Sequence, residues 1–134
     1  MTAATLYSER VLTELDHVRL SKLLDAKAHP GLKSLLDLAE LTHSREIPAD
    51  IVTMYSRITI ADARTGQRQQ MTLCYPGDAD PAKGFVSVLS PVGLSLIGLR
   101  LGAVAEWKTP GGGEVRARVE EILYQPEASG EFTV

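Results

Sequence analysis

The chain has a single cysteine, Cys74, so no internal disulfide can form, and a reducing cytoplasmic location is the expectation. Aromatic residues make up only 5% of it, so the core has to be built from aliphatic side chains. Lys and Arg number 14 against 17 Asp and Glu, a formal net charge of −3. That balance argues against the basic face by which proteins hold nucleic-acid phosphates, and no sequence-specific nucleic-acid binding is expected. No apolar run reaches the roughly 20 residues needed to cross a bilayer. A basic N-terminal region followed by an apolar run is also missing, so neither membrane insertion nor a secretory signal is expected. His17, His29 and His43 do not have the spacing of metal ligands, and no metal or cofactor is expected.

What is present suffices for one compact domain with a small appendage: 134 residues, 44% of them hydrophobic. Leu12, Leu15, Val18 or Arg19, Leu23 and Leu24 recur at three- and four-residue steps, and predict a helix over residues 12–28 that His29-Pro30-Gly31 ends. Thr13 and Asp16 resemble the two ends of a capping box. Leu32, Leu35, Leu36 and Ala39, joined by Leu38 or Leu41, predict a second helix over residues 32–43. Two helices so joined fold back as an antiparallel, coiled-coil-like hairpin within residues 1–47, behind a loose lead-in over residues 1–11. At ~1.5 Å per residue such an arm is only about 20 Å long. Helices of that length are marginal alone, so the hairpin is expected to lean on itself and on the rest of the chain.

From residue 48 the period changes to two. Val52, Met54, Ser56, Ile58 and Ile60 predict one face of a strand, with Gly66 in the turn that follows and Met71, Leu73 and Tyr75 on a return strand. Residues 85–113 organise what remains. A short strand leads to Ser90, an N-cap residue, and Pro91 stands at the first helical position, where its missing N–H costs nothing. Gly98 ends this inserted helix. A further strand leads into the Thr109–Gly113 turn. The last strand, residues 114–124, alternates at Val115, Ala117 and Val119 and resumes at Ile122 and Tyr124. That slip of one residue predicts a β-bulge at Glu120-Glu121. Residues 125–134 read as a polar tail. The physical pattern is α+β with an antiparallel sheet.

Little of this is catalytic. Cys74 lies in a strand and reads as a small buried hydrophobe. Gly111-Gly112-Gly113 lacks the helix start that a phosphate cradle needs, and reads as a turn between strands.

The run Ser87-Val88-Leu89-Ser90-Pro91-Val92-Gly93, then Leu96-Ile97-Gly98, then Lys108-Thr109-Pro110-Gly111-Gly112, resembles the C-terminal domain of the bacterial transcription factors GreA and GreB. Residues 51–57, Leu73-Cys74-Tyr75-Pro76 and residues 124–130 are similar to a short member of that family. The resemblance implies an FKBP-like half-open β domain over residues 48–134. It implies RNA polymerase as partner, contacted at the rim of the secondary channel by the loop that holds Leu89, Ser90, Pro91 and Val92. Leu89 stands where the family often has Asp or Asn, a departure that either alters the strength or polarity of this contact or replaces a polar contact with an apolar one. Its short members imply an indirect effect on nucleoside diphosphate kinase levels. In Gre factors, paired acids at the arm's tip help hold a catalytic Mg²⁺. Here the tip carries Asp25, Lys27 and His29, and one carboxylate beside an ammonium group is a poor magnesium site. The expectation is a monomeric, non-catalytic regulator that competes with Gre-type factors. A transcript-cleavage factor is the alternative. An FKBP-type prolyl isomerase is a third reading, for which two Phe, four Tyr and one Trp do not assemble an aromatic pocket.

Overall fold

Two short strands flank the N-terminal helices; of the lead-in expected over residues 1–11, only Arg10 and Val11 fall among the described residues, and both are buried. The computed structural model describes residues 10–24, 29–109 and 111–131. Strand β1 (Val11–Thr13) runs directly into helix α1 (Glu14–Ser21), and helix α2 (Pro30–Leu38) is followed by β2 (Glu40–Thr42). β1 and β2 pair in parallel, Leu12 opposite Leu41. Both helices are shorter than their leucine spacing predicts. Pro30 opens α2 rather than lying in the loop before it, as suits a residue whose missing N–H is no loss at the first turn. At the other end Ala39 turns extended, and Glu40 N–H bonds Arg10 C=O at 2.9 Å. Thr13 caps α1 by accepting from Asp16 N–H at 3.0 Å. The reciprocal half of the capping box is not made: the Asp16 carboxylate turns inward and accepts from Met54 N–H at 3.3 Å.

The helices lie against the rest of the molecule, as their length requires. Leu20, Leu32, Leu35 and Leu36 share one core cluster with Ile58, Ile60, Met71 and Leu73 of the sheet. Each fully buried leucine contributes about 1.5–3 kcal/mol relative to exposure. That outweighs the unfavourable nucleation of helices this short. His17, expected on the surface, is half-buried, and its Nε2 meets Leu36 C=O at 2.9 Å, joining α1 to α2.

The sheet has five strands: β3 (Arg57–Asp62), β4 (Arg68–Cys74), β5 (Phe85–Ser87), β6 (Val104–Lys108) and β7 (Glu114–Tyr124). Their order is β5-β4-β3-β7-β6. Neighbours are antiparallel except β4 and β5, which are parallel, so the expectation of a wholly antiparallel sheet fails at that edge. Helix α3 (Pro91–Leu96) follows β5 and is the one inserted helix. Thr59 faces Glu121 and Ile60 faces Val119, so Glu120 is the extra residue of the bulge that the slipped alternation indicates.

The strand predicted from residue 52 begins only at Arg57. Tyr55 has φ 64, and Ser56 N–H bonds Thr53 C=O at 3.0 Å, a turn that breaks the alternation. Val52 instead exchanges bonds with the segment after α3: its N–H with Leu99 C=O and its C=O with Gly98 N–H, both 2.8 Å. Residues 125–131, the described part of the polar tail, are tied to the base. Gln125 is buried, and its Nε2 donates to Pro48 C=O and Ile51 C=O, each at 2.8 Å. Gln125→Ala is expected to cost about 2–3 kcal/mol, because two buried carbonyls lose their donor. Urea unfolding reads this directly; an unchanged midpoint would mean that water replaces the amide without loss.

Candidate functional site

The Ser90-Pro91 loop is a rigid corner, and its sequence explains the rigidity. Ser90 is extended (φ −71, ψ 156), and its Oγ accepts from Gly93 N–H at 3.1 Å while donating to Ser87 C=O at 2.7 Å. Its N–H also bonds Ser87 C=O, at 3.0 Å, and Leu89 N–H bonds Ser87 Oγ at 3.1 Å. The hydroxyl proton of Ser90 is thus spent inside the loop. What the corner offers outward is the exposed Pro91 ring between half-exposed Leu89 and Val92, both of which also pack on the core. The structure therefore brings Leu89, Ser90, Pro91 and Val92 together on one turn, with Ser90 as the brace and Pro91 as the surface.

The far end of α3 is held by a residue for which the sequence carries no signal. Arg10 is 1% exposed, and its Nη1 donates to Ile97 C=O at 2.9 Å and Leu94 C=O at 3.3 Å. Val11 N–H bonds Gly98 C=O at 3.0 Å, so the start of the chain and the Ser90 corner share one short helix. Of the tip residues, Asp25 and Lys27 lie outside the described residues. His29 is half-exposed and precedes α2 without capping it through its side chain. Among the described residues no group of three or more His, Cys, Asp and Glu could hold a metal ion. Cys74 is buried, with Sγ 3.5 Å from Val86 C=O, and burial pushes its thiol up, away from the reactive thiolate. Trp107 lines a cavity with Ile60, Val115 and Ala117, whereas Tyr55 and Tyr75 line a different groove with Arg19 and Lys22. The aromatics among the described residues do not gather in one cleft.

A second polar cluster joins segments that are distant in sequence. Thr53 Oγ1 donates to Glu127 Oε1 at 2.7 Å, which uses its only proton. Ser56 Oγ, 2.9 Å away, therefore donates to Thr53 Oγ1 while accepting Thr53 N–H at 2.9 Å. Beside this cluster the Asp16 carboxyl is raised to about 7, chiefly by burial and further by the charge of Glu127, against the lowering effect of Met54 N–H. Thr53, Ser56 and Glu127 all stand in the two segments that carry the resemblance to short Gre-like proteins. The pairing of those segments needed the structure.

The family model of the transcription elongation factor GreA/GreB C-terminal domain matches residues 47–124. The chain belongs to the GreA/GreB family. It is 36% identical over 128 residues to the regulator of nucleoside diphosphate kinase of Escherichia coli K12, covering 91% of this chain and 94% of that one. It is 32% identical over 81 residues to the transcription elongation factor GreA of Clostridium beijerinckii, of which it spans about half (51%). Among solved structures, the prokaryotic transcription elongation factor GreA/GreB from Nitrosomonas europaea superposes with a TM-score of 0.72 at 36% identity, over 86% of this chain and 98% of that one. The GreA factor homologue Gfh1 of Thermus thermophilus shares the fold, with a TM-score of 0.51 at 20% identity over 86% of this chain and 99% of that one. These matches support a Gre-like transcription factor role. The Ser90 corner lies within the matched residues, as do Thr53 and Ser56, while Arg10, Asp16 and Glu127 lie outside them.

Proposed function

We propose that this GreA/GreB-family chain is a non-catalytic regulator that binds RNA polymerase near the secondary channel and competes there with Gre-type factors. The observation that carries the reading is the Ser90 corner: an exposed proline and two half-exposed aliphatic side chains on a loop whose polar groups are already paired. In this reading residues 48–134 form the FKBP-like base that docks, and residues 1–47 form a short helical arm, with Asp25, Lys27 and His29 near its end. A monomer suffices. The effect is steric, because an arm whose leucines are buried against the base has little reach. An indirect influence on nucleoside diphosphate kinase levels, through transcription, follows from the name of the Escherichia coli relative. Leu89 makes the contact at this corner more apolar than an acidic residue would, so the corner's own share of the binding should depend only weakly on salt.

Purified core RNA polymerase provides the test. Pro91→Ala is expected to weaken binding about tenfold, and Asp25→Ala to leave it unchanged. Absence of binding at micromolar concentration would end this reading. Magnesium-dependent shortening of RNA in backtracked complexes, abolished by Asp25→Ala, would replace it with a cleavage factor.

A further inference from the structure

Between the end of α1 and the chain that leaves β4 lies an open groove of about 610 Å³, lined by Arg19, Lys22, Leu23, Tyr55, Tyr75 and Pro76. Three independent features distinguish it from an ordinary surface dip.

Tyr55 is the one non-glycine residue with positive φ among the described residues, at 64°. A glycine would hold that backbone without strain, so the tyrosine is kept at a cost. Its backbone is fixed by Tyr55 N–H to Leu73 C=O at 2.7 Å. Its ring meets Tyr75 edge-to-face, with centroids 5.7 Å apart, and its hydroxyl donates to Asp78 Oδ2 at 2.5 Å. The ring is half-exposed, so strain is spent on presenting it. An aromatic wall already held in one orientation loses little freedom when something packs on it.

The charge of the groove opposes that of the chain. Arg19 and Lys22 line one wall of a protein whose net charge is −3. Asp78 accepts from Tyr55, and buried Asp16 accepts from Met54 N–H and also feels the Arg19 charge, so exposed Lys22 is the cation this wall turns to solvent.

The segment that lines the groove at Tyr75-Pro76 also runs beside the segment that leads into the Ser90 corner. Val88 N–H bonds Cys74 C=O at 2.9 Å, so Tyr75-Pro76 and Leu89-Ser90 leave the sheet side by side. So open a groove would not enclose the larger part of a small molecule's surface, as small-ligand sites do. Tyr and Arg are the residues that anchor protein–protein contacts.

We infer that this groove is a second contact for RNA polymerase, taking a segment of the polymerase in which an apolar side chain sits next to a carboxylate. The apolar group packs on the Tyr55 and Tyr75 rings, and the carboxylate meets Lys22. The inference rests on the polymerase reading above. Binding of full-length protein to immobilised core polymerase, at low and high salt, tests both. Lys22→Glu is expected to weaken binding about tenfold at low salt and less at high salt. Tyr55→Gly, which keeps the backbone geometry and removes the ring, should weaken it about tenfold while the protein stays folded at the temperature of the binding measurement, as its melting curve will show. If wild type binds, Pro91→Ala weakens it and both groove variants match wild type, the second contact is wrong and the polymerase reading stands. If wild type does not bind, both fall. If millimolar GDP displaces wild type from polymerase but not Lys22→Glu, the groove is a nucleotide site and the inference is overturned.

Discussion

Gly93→Ala is expected to destabilise the fold by more than about 3 kcal/mol and, on the proposed polymerase reading, to abolish that binding. The reason is steric and local. A Cβ on Gly93 would stand 2.0 Å from Ser87 O, 2.8 Å from Ser87 C and 2.9 Å from Val88 Cα, all backbone atoms that no rotamer change can move. Nor can that backbone retreat cheaply. Ser87 is registered against Cys74 in the sheet, and Val88 N–H is bonded to Cys74 C=O. Ser87 O itself accepts from both Ser90 N–H and Ser90 Oγ, so displacing it undoes the brace of the corner. Gly111→Ala is the control: nothing lies within 4 Å of its Cβ and its backbone is not left-handed, so it should unfold within about 0.5 kcal/mol of wild type. Urea midpoints for the two variants, measured together, decide the matter. A Gly93→Ala protein as stable as the control would show that α3 can slide away from β5, and the corner could not then be called rigid.

The same corner shows which parts of the site the sequence could disclose. Ser90 and Pro91 are governed by local backbone rules, a cap and a first-turn proline, and these hold wherever the segment sits. The bulge at Glu120 was legible for the same reason, because a period of two cannot slip without an extra residue. Gly98 is left-handed but does not stop the helix: Ile97 already turns extended after Leu96, and Gly98 sits in the turn that Leu99 N–H closes on Leu96 C=O. Partners distant in sequence leave no such trace. Arg10 reads as one charged residue in a polar lead-in, yet the carbonyls it caps are 84 and 87 positions away. Gln125 and Glu127 read as a tail, although their bonds run to Ile51 and Thr53, more than 70 positions back. The parallel pairing of β1 with β2 had a further obstacle: three-residue strands are too short to show a period against the helical leucines beside them. Local chemistry thus gave the surface of the corner, while the bonds that tie the helices and the C-terminal segment to the base had to be seen.

Asp16 carries the largest pH effect expected of this molecule. Its carboxyl moves from an ordinary 3.8 to about 7 because burial disfavours the charge, and the nearby Glu127 charge adds to the rise. Met54 N–H, Thr13 and Arg19 act the other way without cancelling it. Between these two pKa values the folded protein holds a proton that the unfolded chain has released. Stability is therefore full below the unfolded value, falls as pH rises through the window, and levels off above about 7. At ~1.4 kcal/mol for each pH unit that the window spans, the total is on the order of 4 kcal/mol. Asp16→Asn keeps an oxygen to accept Met54 N–H but cannot ionise. Its stability should lack this decline, so that near pH 8 it exceeds wild type by a few kcal/mol while the two converge near pH 4. Taking the difference between the two proteins removes the other carboxylates. Asp62 is one, held low by Thr65 and Arg64 N–H, and it contributes a slope of opposite sign. Urea unfolding at four pH values between 4 and 8 gives the comparison. Parallel curves would mean that water reaches Asp16, and the contact it makes between α1 and Met54 would then not be the dry one that its 2% exposure describes.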